Sequence, residues 1–227
     1  MHYDRLPADR RLAAVALAAT SGLALLALSH HPVMTKASSL RESLDQLAAL
    51  RSMDGAVHGG LIVMLAILAA CLAVFGTLIG RRRASVLLAT AAYGVGCCLV
   101  LGAMLLDGFA VPLLARQFIG APHSEVEAVY VALRVIGTVI QVLSKAGLLS
   151  MCVALLAWSY ALATTPALPW SRGVAALGTA AGLLPALFIL LADMRLTPGS
   201  LMAILGAHCL WNLGVAGILI RSMAPQK

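Results

Sequence analysis

The sequence predicts an all-α integral membrane protein, a polytopic bundle of six transmembrane helices. Hydrophobic residues make up 61% of the chain and charged residues only 11%, with a mean hydropathy of +0.96. Soluble domains carry roughly 25% charged residues, so this composition decides the class of protein. Several apolar runs approach or exceed the ~20 residues that a membrane-crossing helix needs, and short polar or basic segments separate them.

The first predicted span covers approximately residues 12–29 and follows a short basic segment that holds Arg5, Arg10 and Arg11. This run is longer than the apolar core of a signal peptide, which is about 7–15 residues, and no convincing small-residue cleavage site follows it. We therefore interpret it as a retained transmembrane helix.

The segment 37–53 is predicted to form a short amphipathic helix in the first outer loop. Ser39 and Glu42 have the spacing of a capping box, and leucines then recur at helical intervals from Leu40. Charged residues occupy the other faces. Such a helix is expected to lie at the membrane interface or over the end of the bundle.

Five further spans are predicted after this segment, at approximately residues 57–80, 84–111, 124–163, 173–192 and 198–220. The cationic cluster 81–83 separates the second span from the third, and Pro185 is expected to kink the fifth. With the amino terminus inside, the short cytoplasmic segments hold more Lys and Arg residues than the longer outer loops. The positive-inside rule therefore predicts that both termini are cytoplasmic, in a bacterial-type inner membrane.

Polar residues within the spans concentrate toward the predicted outer side. Counting about 20 residues for the hydrocarbon core from each cytoplasmic helix end gives an approximate depth for each of them. Five helices then place an ionisable or amide group in the outer third. The candidate ligand-binding or pathway residues are His58, Asp107, Gln141, Lys145, Asp193, His208 and Asn212.

These candidates indicate a polar pocket that opens outward, because ionisable groups at membrane depth are costly and tend to mark pathways or ligand sites. A structural explanation stays open for several of them. Asp107 and Lys145 would neutralise each other as an ion pair, and Asp193 would serve as a helix end.

The favoured function is that of a non-catalytic subunit, sensor or assembly factor whose pocket binds a lipid, a quinone or a partner helix. The expected partners are membrane lipids and either another transmembrane protein or a second copy of the chain. A small-solute or proton-linked transporter using the same pocket is the alternative. Nucleic acid is excluded as a partner, because the cations flank apolar segments and form no basic tract with interleaved aromatic residues.

No cofactor is predicted, and a haem or metal site is a lesser alternative with His58 and His208 as its candidate ligands. The depth count separates these two histidines by about two helical turns, whereas ligands of one ion or haem lie at similar depth. The five cysteines all fall inside predicted spans and are interpreted as packing residues.

An intramembrane hydrolase is a further lesser alternative. The segment from His208 to Asn212 resembles the terminal HxxxN motif of the CPBP prenyl-protease family, which also carries EExxxR and FxxxH motifs. In this chain Val126 separates Glu125 from Glu127, and no FxxxH sequence occurs. The resemblance covers these five residues alone and lacks the paired glutamates that would activate water.

Overall fold

The structure is a computed structural model that describes residues 6–31, 37–165, 168, 170–191 and 195–222. The described residues form helices and no strand, and six helical spans are long and apolar enough to cross a membrane. The prediction of an all-helical chain with six spans long and apolar enough to cross a membrane is therefore confirmed. The helices are α1 Leu6–Ser29, α2 Leu40–Ala49, α3 Arg51–Ile79, α4 Ala84–Leu105, α5 Val111–Gln117, α6 His123–Ala163, α7 Ser171–Leu191 and α8 Pro198–Arg221.

The long helices pack in two groups that share one core. Helix α6 packs between α4 and α7, and α1 packs between α3 and α8. Glycines allow the backbones of α4 and α6 to approach closely, since a Cβ atom on Gly96 would lie 2.8 Å from the Gly147 carbonyl oxygen. Small residues at helix interfaces are typical of packing in membranes.

We name the two ends of the bundle after helix α2 and after Arg83. At the α2 end, the Ser39 side chain caps α2 by accepting a hydrogen bond from the Glu42 amide at 3.2 Å. Leu44 is 1% exposed and packs with Ala115 and Val126, so α2 lies over α5 and the start of α6. At the opposite end, which we call the Arg83 end, the Arg83 guanidinium donates to the hydroxyls of residues 164 and 165.

The third span continues beyond residue 111, where the sequence analysis ended it before Pro112. A single π turn, Leu106–Ala110, follows α4, with the Val111 amide bonded to the Leu106 carbonyl five residues earlier. Pro112 then falls in the first turn of α5, where a missing N–H is tolerated, and the helix continues to Gln117. The π turn places Asp107 and Gly108 at the α2 end.

Aromatic side chains fill the half of the bundle toward the Arg83 end. The rings of Trp158 and Trp211 stack with centroids 5.7 Å apart, and Phe75 and Tyr93 pack against them edge-on or tilted. Trp158 is 1% exposed and Trp211 is fully buried. This half is a close-packed apolar core.

Candidate functional site

Two of the candidate residues from the sequence meet at the α2 end. The Nε2 atom of His58, on α3, lies 3.4 Å from Oδ2 of Asp107, in the π turn. The His58 side chain is 5% exposed, whereas that of Asp107 is 44% exposed. A buried imidazole therefore faces a carboxylate that reaches the edge of the bundle.

His31 and Asp54, which the sequence analysis did not single out, join this pair. His31 Nε2 lies 3.9 Å from Asp107 Oδ2, and its ring packs edge-on against that of His58 with centroids 5.0 Å apart. One possible ligand atom from each of His31, Asp54 and His58 lies within 4.8 Å of the others. We call His31, Asp54, His58 and Asp107 the His–Asp cluster.

A signal for Asp54 was present in the sequence, because it precedes His58 by four residues and so shares a helix face with it. The same spacing lets the backbone orient the imidazole. His58 Nδ1 lies 2.9 Å from the Asp54 carbonyl oxygen, which can only accept a hydrogen bond, so we assign the proton to Nδ1. In the neutral ring, Nε2 then presents its lone pair toward Asp107.

Gly108 allows the π turn to lie directly against His58. A Cβ atom at position 108 would lie 2.4 Å from the His58 Cβ, so any larger residue there would force the turn or the histidine to shift. Phe109 packs over Gly55 and Gly59 on the neighbouring turns of α3. The sequence gives no sign of this arrangement, since a π turn has no spacing signature of its own.

An apolar cavity of about 160 Å³ extends from the His–Asp cluster into the bundle. His31, His58, Asp107 and Ser144 supply its polar atoms, and aliphatic or methionine side chains form the rest of its wall. A second cavity of about 60 Å³ follows toward the middle of the bundle. The two share five lining residues, Ala24, Leu65, Leu68, Met151 and Leu205.

His208 and Asn212 lie in the second cavity and not in the His–Asp cluster. Both are buried, and the Asn212 amide donates to the Ser21 hydroxyl at 2.9 Å. Nε2 of His208 has no hydrogen-bond partner among the described residues. The structure therefore separates His58 from His208, as the depth count suggested.

The remaining candidates lie outside both cavities or outside the described residues. The Gln141 side chain forms two hydrogen bonds with the backbone of Leu196, of 3.0 and 2.8 Å, and so attaches the segment before α8 to α6. Among the described residues no ion pair joins Lys145 to Asp107, whose partners are His31 and His58 instead. Asp193 lies outside the described residues.

Comparison of the chain with protein-family models, curated proteins and solved structures found no match. The chemistry of the site therefore rests on its geometry. Two imidazoles and two carboxylates converge at one end of an apolar cavity, which suits the recognition of a hydroxyl group or a cation next to an apolar body.

Proposed function

We propose that this protein is a membrane-embedded binding protein that holds one quinone-type ring in its cavity. The observation that carries the proposal is the cavity itself, apolar along its walls and polar only where it meets the His–Asp cluster. An apolar cavity of ~150 Å³ holds a benzene-sized ring. The ring would lie among the aliphatic side chains, and its tail would leave toward the lipid.

The hydrogen-bonding atoms favour the reduced, hydroxyl-bearing form of such a ring. The Asp107 carboxylate presents lone pairs to the cavity, and His58 Nε2 presents one when its imidazole is neutral. A quinol hydroxyl donates a hydrogen bond to either of them, whereas a quinone carbonyl only accepts. We therefore expect tighter binding of the quinol than of the quinone.

The other proposed ligands fit this cavity less well. A partner helix is ~10–12 Å across and exceeds the available space. A phospholipid phosphate would lie next to the carboxylates of Asp54 and Asp107, which repel an anion.

The same packing supports binding over the transport and hydrolase alternatives. A transporter needs a path through the stacked rings of Trp158 and Trp211, which fill the half of the bundle toward the Arg83 end. A hydrolase built on His208 and Asn212 needs an activating carboxylate, and among the described residues none hydrogen-bonds to His208.

We also propose an orientation of the bundle in the membrane, based on the position of its basic residues. The cluster Arg81–Arg83 lies at the Arg83 end, where the positive-inside rule places the cytoplasm. The His–Asp cluster and α2 would then face outward from a bacterial-type inner membrane.

Binding of a short-tailed benzoquinone to the detergent-solubilised, chelator-treated protein tests the proposal, in the oxidised form and after reduction with dithionite. Ala24 lines both cavities, so Ala24→Leu should fill their junction and weaken quinol binding by about tenfold or more, equivalent to ~1.4 kcal/mol. Ala19→Leu, on the exposed face of the same helix, is the matched control. Equal binding by both variants, or no saturable binding by the unmodified protein, would overturn the proposal.

A further inference from the structure

The His–Asp cluster combines the side chains that transition metals prefer. Imidazole nitrogens suit Zn²⁺, Fe²⁺, Co²⁺ and Ni²⁺, and carboxylates complete many of their sites. The four side chains come from three places, the segment after α1, the first turns of α3 and the π turn. The fold, and not one local motif, therefore assembles this donor set.

The separations between the donor atoms are close to those of a coordinated ion. Ligands bound tetrahedrally at ~2.1 Å lie about 3.4 Å apart. His58 Nε2 and Asp107 Oδ2 are 3.4 Å apart, and His31 Nε2 and Asp107 Oδ2 are 3.9 Å apart. The Asp54 donor lies within 4.8 Å of those of His31 and His58, so both carboxylates lie next to the same two imidazoles.

The hydrogen bond on the far side of the His58 ring is the one that metal-binding histidines make. A ligating imidazole usually donates its other N–H to a carbonyl or carboxylate, which fixes the ring and its tautomer. His58 Nδ1 makes this contact with the Asp54 carbonyl at 2.9 Å. Its Nε2 atom then faces the Asp107 carboxylate at 3.4 Å, and either a proton or a metal cation fits between the two atoms.

The charges in the His–Asp cluster are also compatible with a bound cation. Asp54 and His58 are buried, and buried carboxylates need compensation. Among the described residues no lysine or arginine forms an ion pair with Asp54 or Asp107. Two ionised carboxylates are balanced either by two imidazolium groups or by one divalent cation beside two neutral imidazoles, so the metal ion would compete with protons. The partly exposed His31 and Asp107 side chains leave a way in for the ion.

From these observations we infer that His31, Asp54, His58 and Asp107 bind one divalent transition-metal ion of the zinc class. This site does not depend on the quinol proposal. The His58 Nε2 lone pair serves either an ion or a hydroxyl, so each ligand is measured in the absence of the other. If the metal does not bind, the quinol proposal is unaffected, and if the quinol does not bind, the metal inference is unaffected.

Calorimetric titration of Zn²⁺ into the full chain tests the inference, with protein that carries no affinity tag and has been stripped with a chelator. We expect one equivalent of Zn²⁺ to bind. His58→Gln and Asp54→Asn should each weaken the binding by at least about tenfold. The matched controls are His123→Gln and Asp45→Asn, at exposed positions outside the cluster, and these should bind as the unmodified protein does.

Titration with Co²⁺ adds a readout of the coordination itself, because its visible absorption depends on ligand type and geometry. We expect the Asp54→Asn and Asp107→Asn variants, which preserve side-chain shape, to change this spectrum even if His58→Gln fails to fold. Absence of saturable Zn²⁺ binding would overturn the inference. So would unchanged affinity and spectrum in both Asp→Asn variants, or an equal loss of affinity in the His123→Gln control.

Discussion

The two halves of the bundle both bury polar atoms, but they arrange them differently. Toward the Arg83 end, Nε1 of Trp158, Nε1 of Trp211 and the Ser159 hydroxyl have no hydrogen-bond partner among the described residues. The two tryptophans contribute large apolar ring surfaces to this packing, and their N–H groups are a small part of each side chain. At the α2 end, ionisable groups from separate elements meet at one point beside a cavity. The candidate site is distinguished by ionisable side chains that meet beside a cavity, and not by the burial of polar atoms alone.

The largest expected loss of stability comes from a substitution in the aromatic half of the bundle. Trp211→Ala removes a fully buried ring that contacts Trp158 and Phe75, and should lower the free energy of unfolding by about 3–5 kcal/mol. Trp170→Ala is the control. Its ring is 54% exposed and lies over the Arg221 guanidinium in a cation–π contact, worth about 1 kcal/mol or less. Unfolding in mixed micelles of increasing SDS content measures both values, and equal losses would contradict the description of this half as the stabilising core.

A smaller effect is expected at the α2 end, where the arrangement of the site depends on one glycine. Gly108→Ala places a Cβ atom against His58, and overpacking of this kind costs about 1–3 kcal/mol. The imidazole must also move, so Zn²⁺ and quinol affinity should fall with stability. Gly137→Ala, where a Cβ atom meets nothing within 4 Å, should instead gain about 0.5–1 kcal/mol. A Gly108→Ala protein with unchanged stability and affinity would show that this contact does not hold His58.

The smallest expected change in stability comes from a substitution outside the membrane spans, at the start of α2. The backbone amide and hydroxyl of Ser38 both donate to Glu42 at 2.6 Å and lower the pKa of Glu42 from its ordinary value of 4.5. A lowered pKa means that the stabilisation is present above about 4.5 and is lost as the pH falls through the lowered value. The stability difference between the unmodified protein and Glu42→Gln should therefore be small at neutral pH and vanish in acid. A difference that grows as the pH falls would contradict this assignment.

The sequence was sufficient for the class of fold and for half of the His–Asp cluster. Composition and run length identify the membrane helices because the bilayer selects strongly for both. His58 and Asp107 stood out because ionisable groups within apolar runs are rare. The depth count also predicted that His58 and His208 lie apart, and in the structure they line different cavities.

The rest of the site depends on tertiary structure. His31 lies just beyond α1 and reaches His58 only because α1 and α3 pack together. Asp54 fell in a segment assigned to the outer loop, although α3 begins at Arg51 and includes it. The π turn that carries Asp107 and Gly108 changes the helix register by one residue, which hydropathy does not reveal. Lys145 was a plausible partner for Asp107 by depth, but depth does not determine which helix faces meet.

The central claim is that the His–Asp cluster, at the α2 end of the cavity, is the functional part of this molecule. The most direct test is quinol affinity in His58→Phe, which keeps a flat ring but removes both nitrogens, compared with Ser159→Ala in the aromatic half. We expect His58→Phe to weaken binding by about fivefold, since one hydrogen bond is worth ~1 kcal/mol and a tenfold change is ~1.4 kcal/mol. Ser159→Ala should leave the affinity unchanged. Unchanged affinity in His58→Phe, or a loss confined to Ser159→Ala, would contradict the claim.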